Sequence, residues 1–119
     1  MDDIRKPIKW MGGSKAVLAS FPKTVIQEAG YQLDRVQLGL QPDDFKPMKQ
    51  LGKGVRGIEE VRVQDVDGSG IYRVMYVARF EDAVYVLHCF SKKTQKTTQR
   101  DKDMTIKPYK AMVEDRSQK

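Results

Sequence analysis

Two groups of cations and two separate arginines are the residues of this 119-residue chain best suited to chemistry. Lys92, Lys93 and Lys96 crowd the run Ser91-Lys92-Lys93-Thr94-Gln95-Lys96-Thr97, while Lys49, Lys53 and Arg56 occupy a glycine-bearing stretch with no acid between Phe45 and Ile58. Arg62 and Arg73 each stand among β-branched and aromatic neighbours. Side chains of this kind bind phosphate and stabilise charge that develops on phosphoryl oxygens. A lysine can also move a proton where neighbouring cations lower its pKa. The whole chain leans the same way, with 22 Lys and Arg against 16 Asp and Glu and a net charge of +6. That excess favours a polyanionic partner, either nucleic acid or an acidic protein.

Other chemistries are poorly supplied. Cys89 is the single cysteine, so no internal disulfide and no Cys-rich zinc site can form. His88 is the single histidine, which excludes multi-His metal sites, and no nucleophile motif accompanies it. No metal and no cofactor are therefore expected, and Asp65, Asp67 and Gly68 read as a turn rather than a metal loop. An unperturbed imidazole has a pKa near neutrality, so His88 is a tempting general base. Flanked by Leu87 and Cys89 and in phase with Val84, Val86 and Phe90, it reads better as a satisfied, partly buried histidine. Tyr72, Tyr76 and Tyr85 sit among apolar residues and read as core, and Tyr109 is a weaker candidate for stacking on a base.

These side chains need a scaffold, and the patterning describes one domain over residues 1–119. Apolar residues make up 39% and charged residues 32%, enough for a small core under a solvated surface. No signal peptide and no apolar run of ~20 residues is present, which leads us to expect a soluble, cytoplasmic protein with no membrane segment. Residues 7–11 look like a first strand, with Ile8 and Trp10 on one side. Gly12 and Gly13 end it, and Ser14 resembles an N-cap for a helix over 15–20. After Pro22, the residues Val25, Ile26, Ala29, Leu33, Val36 and Leu40 form an amphipathic helix stripe. Residues 42–47 read as a loop. Val61 and Val63 then alternate with Arg62 and Gln64. A turn at 65–70, a strand over 71–79, a turn at Glu81 and Asp82 and a strand over 83–90 complete an antiparallel meander. Thr98 with Asp101 resembles a helix cap, and Pro108 should kink or interrupt the helix that follows. The order strand, two helices, three strands, helix is α+β: a small antiparallel sheet with two N-terminal helices packed on one face and a C-terminal helix. Alternation puts Arg73 with Ile71, Met75 and Val77, a charge expected at the rim of a groove, with Arg62 beside it on the preceding strand.

The run Tyr72-Arg-Val-Met-Tyr-Val-Ala78, followed by residues 84–90 and the Lys/Thr-rich 91–97, resembles the RelE/HigB-like toxins of type II toxin–antitoxin systems. It is most similar to their phage-derived HigB branch. Phe21-Pro22, Gly30-Tyr31 and Lys46-Pro47-Met48 resemble that branch's helical half. The element order agrees over nearly the whole chain, and the specific motif covers roughly residues 55–98. Two positions depart from the pattern: Thr98 replaces a proline, and Pro108 falls where the family continues its helix with basic residues.

The resemblance implies a RelE/ParE-like fold and a ribosome-dependent endoribonuclease that cuts mRNA and inhibits translation. It also implies a cognate antitoxin, often of helix-turn-helix type. RNA broken through its own 2′-hydroxyl needs one group to take that proton, one to protonate the leaving 5′-oxygen, and cations on the phosphorane. On this reading Arg62, Arg73 and Lys93 are catalytic, with Arg73 matching a phosphate-stabilising arginine of the family motif. Lys49, Lys53, Arg56, Lys92 and Lys96 contact the RNA backbone, and His88 and Tyr109 are weaker candidates. Two alternatives stay open: a ParE-like toxin that inhibits DNA gyrase without cutting RNA, and a non-catalytic basic nucleic-acid-binding module.

Overall fold

A computed structural model describes residues 5–49, 51–65, 68, 70–92 and 97–118, residue 92 by its backbone alone. Its elements are β1 (Ile8–Trp10), α1 (Ser14–Ala19), α2 (Lys23–Gln37), β2 (Phe45–Pro47), β3 (Ile58–Gln64), β4 (Ile71–Val77), β5 (Val84–Lys92) and α3 (Gln99–Ser117). They build a five-stranded sheet in the order β1-β5-β4-β3-β2. The meander β3-β4-β5 is antiparallel as its alternation implies, and β1 closes one edge in parallel with β5. The other edge is β2, a three-residue strand at Phe45, Lys46 and Pro47 within what sequence alone reads as a loop. Pro47 explains the misreading: proline cannot donate to a ladder, and it is tolerated here because β2 lies at the sheet's edge.

The two sides of the sheet carry separate cores. Leu18, Val25, Ala29, Leu33 and Val36 of α1 and α2 pack on Val61, Val63, Val74, Tyr76, Val84 and Val86. Tyr109 and Met112 of α3 pack on the opposite side against Ile58, Met75, Val77, Tyr85 and Leu87. Leu40 leaves the expected stripe because α2 ends at Gln37, and it is 51% exposed. Gln32, on the stripe's polar side by sequence, is buried instead and is tied to Glu28 and Asp43.

Ser14 is not an N-cap: Gly13 holds that position, and the Ser14 hydroxyl donates to the Val86 carbonyl, binding α1 to β5. Thr98 does cap α3, its hydroxyl accepting from the Asp101 amide. Pro108 does not interrupt α3, which runs through it from Gln99 to Ser117. Tertiary packing overrides the missing amide donor, because α3 is held along its length. Asp101 bonds His88 near the start, and the Tyr109 hydroxyl donates to the Gly54 carbonyl at 3.3 Å. Near the end, Arg116 stacks 3.8 Å from the Phe80 ring centroid and pairs with Asp82, which holds the Asp82 carboxyl below its ordinary range. Pro108→Ala restores one amide donor and is expected to raise stability by about 1–3 kcal/mol, read as a higher Tm. A lower Tm would show that the ring's packing near Gly12 matters more than the hydrogen bond.

Cys89 faces the α1/α2 core at 1% exposure, and burial pushes its thiol up to about 12. Native protein at pH 8 is therefore expected to leave an aromatic disulfide reagent unconsumed, with one thiol appearing after denaturation. Rapid reaction of the native protein would contradict this packing.

Candidate functional site

The turn between β3 and β4 fixes a register in which Arg62 lies directly opposite Arg73, and Glu60 opposite Met75. All four residues point to the α3 side of the sheet, since successive side chains alternate. The two arginines are thus neighbours, but their surroundings differ. The Arg62 side chain is 28% exposed and pairs with Asp44 at 2.9 Å. The Arg73 side chain is 0% exposed and donates to an equally buried Glu60 at 2.7 Å. The rim position expected for Arg73 is therefore corrected. Strand β4 crosses the middle of the sheet, so the guanidinium lies in the interior, where Glu60 is its partner.

His88 also reaches this side, for a reason a strict two-residue period misses. The pairing of β4 with β5 slips between Met75 and Tyr76, so that Met75 faces His88 while Tyr76 faces Val86. The extra residue, Leu87, makes a bulge that turns His88 and Phe90 toward α3, away from the side of Val84 and Val86. His88 is 6% exposed and its ring lies stacked on Phe90 at 5.0 Å. Its Nε2 bonds Asp101 at 3.0 Å, and Asp101 also accepts from the Thr98 hydroxyl. A carboxylate orienting an imidazole can support acid–base chemistry, yet this pair also joins the last strand to the last helix.

The remaining candidates separate by position. Lys93 and Lys96 lie outside the described residues, as does the Lys92 side chain, while the Lys92 backbone pairs with Ile71 at the Arg62/Arg73 end of the sheet. Lys49, Lys53 and Arg56 are exposed on the connection before β3, at the other end. Arg62 is four residue steps beyond Ile58, or about 13 Å along the strand, so the two basic groups are distinct surfaces. Tyr109 is 3% exposed, and its hydroxyl is shared among the Gly54 carbonyl, the Arg56 amide and Arg79. It belongs to the core and offers no face to a base. Among the described residues, no three His, Cys, Asp or Glu side chains are grouped to hold a metal ion. Nor is any helix among them long and apolar enough to cross a membrane.

Glu60 and Asp101 are the partners that sequence reading overlooked. The signal for Glu60 was present: with Gln64 opposite Ile71, counting back along the hairpin places Glu60 diagonal to Arg73. Asp101 reads from the sequence only as part of a cap, and the bulge brings His88 to it.

Two helices on one side of a five-stranded sheet, with a third on the other, are consistent with a RelE-like fold. The family model described as "Phage derived protein Gp49-like (DUF891)" matches residues 16–110, and the chain belongs to that family, a RelE/HigB-type toxin-like family. No curated protein matches the chain significantly.

Proposed function

We propose that this protein is the toxin of a type II toxin–antitoxin pair, of the HigB branch, and inhibits translation in the cytoplasm by cutting mRNA on the ribosome. The observation that carries the reading is the Arg62–Arg73 pair at the end of the sheet from which β5 leads into the lysine-rich segment, in a chain of a toxin-like family. Cleavage needs neither metal nor protein nucleophile. The 2′-hydroxyl loses its proton and attacks the adjacent phosphorus, and the bond to the 5′-oxygen breaks as that oxygen gains a proton. Arg62, partly exposed, is assigned to the phosphoryl oxygens, and Lys93 to phosphate binding or proton transfer. Arg73, enclosed, is a positioning residue that fixes the strand carrying Glu60 beside Arg62. Lys92 and Lys96 extend the contact along the RNA backbone.

The proposed partner in the resting cell is an antitoxin of helix-turn-helix type whose acidic or helical segments cover the cations, with association steered by charge. Induced expression without that partner is expected to stop growth and fragment translated mRNA. A second reading is supported by the burial of Arg73, His88 and Tyr109, which leaves few exposed groups for acid–base work. It is a ParE-like toxin that inhibits DNA gyrase. Blocked supercoiling at toxin levels that leave mRNA whole would establish that alternative and overturn the first.

A further inference from the structure

A cleft of about 660 Å³ opens between the end of α2, the connection before β3 and the C-terminal end of β4, away from Arg62 and Arg73. Its size lies in the range of small-molecule sites. Its walls are fixed in place. The Met48 amide bonds the Ile58 carbonyl at 2.8 Å, and Tyr109 links Gly54 and Arg56 to α3. At Gly57, with φ +77°, a Cβ would come within 2.9 Å of the Arg79 side chain, so the backbone closes on the cleft there.

The polar groups of the cleft are unevenly satisfied. Lys6 is occupied by the carbonyls of Ala78 and Phe80, and Arg79 by the Tyr109 hydroxyl. Lys49 and Arg56 are exposed, and their side chains make no ion pair or hydrogen bond among the described residues. Glu59 is half-buried and likewise has no such partner for its carboxylate. Burial raises its pKa, and its charge adds to the burial that holds the Tyr76 phenol well above its ordinary range. Apolar side chains of Val36, Leu40, Met48 and Val55 line the remainder. Such a site favours a ligand with a flat apolar body, neutral hydrogen-bond donors for the carboxylate and an anion for the cations. A lone cation would suit Glu59 but meets four positive side chains around the cleft.

We propose that this cleft binds a guanine nucleotide, with Glu59 accepting from the adjacent N1–H and amino groups of the base and Lys49 and Arg56 meeting the phosphate. Among the common bases, guanine alone presents those two donors side by side on its pairing edge. The site goes beyond RNA cleavage and does not depend on it, since binding is read without ribosomes.

The test is calorimetric titration of the purified full chain with 5′-GMP, 5′-AMP, 5′-CMP and 5′-UMP, and with a guanosine-bearing RNA tetramer blocked by 2′-O-methylation. GMP is expected to bind about tenfold or more tightly than AMP or UMP. Glu59→Gln, nearly isosteric, removes that preference with an unchanged circular dichroism spectrum, and Lys49→Ala with Arg56→Ala weakens all four mononucleotides alike. Tighter binding of the tetramer assigns the site to an RNA strand, and equal affinity assigns it to the free nucleotide; either supports the proposal. It is overturned by equal binding of all four mononucleotides, by no binding at millimolar concentration, or by Glu59-dependent capture of arginine amide in their place. That last result would mark the cleft as a socket for a protein side chain.

Discussion

Arg73→Ala is expected to lower the stability of the fold by about 3–5 kcal/mol, the cost of leaving a buried carboxylate without its cation. Glu60 and Arg73 are each 0% exposed and 2.7 Å apart, and the second Glu60 oxygen has no hydrogen-bond partner among the described residues. Loss of the guanidinium leaves that charge in the centre of a sheet. Domains of this kind have about 5–15 kcal/mol in total, so much of the margin disappears. Urea denaturation should show a markedly lower midpoint, and a change below about 1 kcal/mol would contradict the buried pair. Arg73→Met combined with Glu60→Leu should restore most of the loss, because apolar residues of similar volume often replace a buried ion pair at little cost. Toxicity retained by this double variant would confirm Arg73 as a positioning residue; a stable but inactive one would return it to the chemistry.

Arg62→Ala should do the opposite, leaving the fold intact while reducing cleavage by about 10²–10³-fold, as expected when one stabilising contact to a developing oxyanion is lost. Its pairing with Asp44 lies at the surface, where such bridges contribute about 0–1 kcal/mol. Lys93→Ala is expected to act at the same step, with a loss of about 10²–10⁴-fold if the amine transfers a proton. Because both residues serve one step, the double variant should fall short of the product of the single losses. Single-turnover cleavage and thermal unfolding, measured on the same preparations, separate the two effects. Undiminished cleavage by both single variants would remove these residues from the site.

The meander was legible because short turns and alternating side chains leave few ways to pair β3, β4 and β5. The helix of α2 was legible from its apolar stripe. Two local events were hidden. The bulge at Leu87 shifts the phase of β5, so the side on which His88 emerges cannot be counted from Val84. The three residues of β2 include a proline and show no alternation long enough to read. Arg73 illustrates a different difficulty. Its type and position are visible in the sequence, but whether an arginine on an apolar strand face reaches water depends on what covers that face. Here Glu60 lets the charge remain inside. The Glu59 cleft was equally out of reach, since α2, the loop before β3 and the C-terminal end of β4 meet there only in the folded chain.

Primer extension on a defined mRNA, incubated with the purified protein with and without translating ribosomes, tests the functional account most directly. Discrete breaks that require ribosomes and fade with Arg62→Ala are the predicted result. An intact message in both reactions, with protein that still arrests growth on expression, would contradict it.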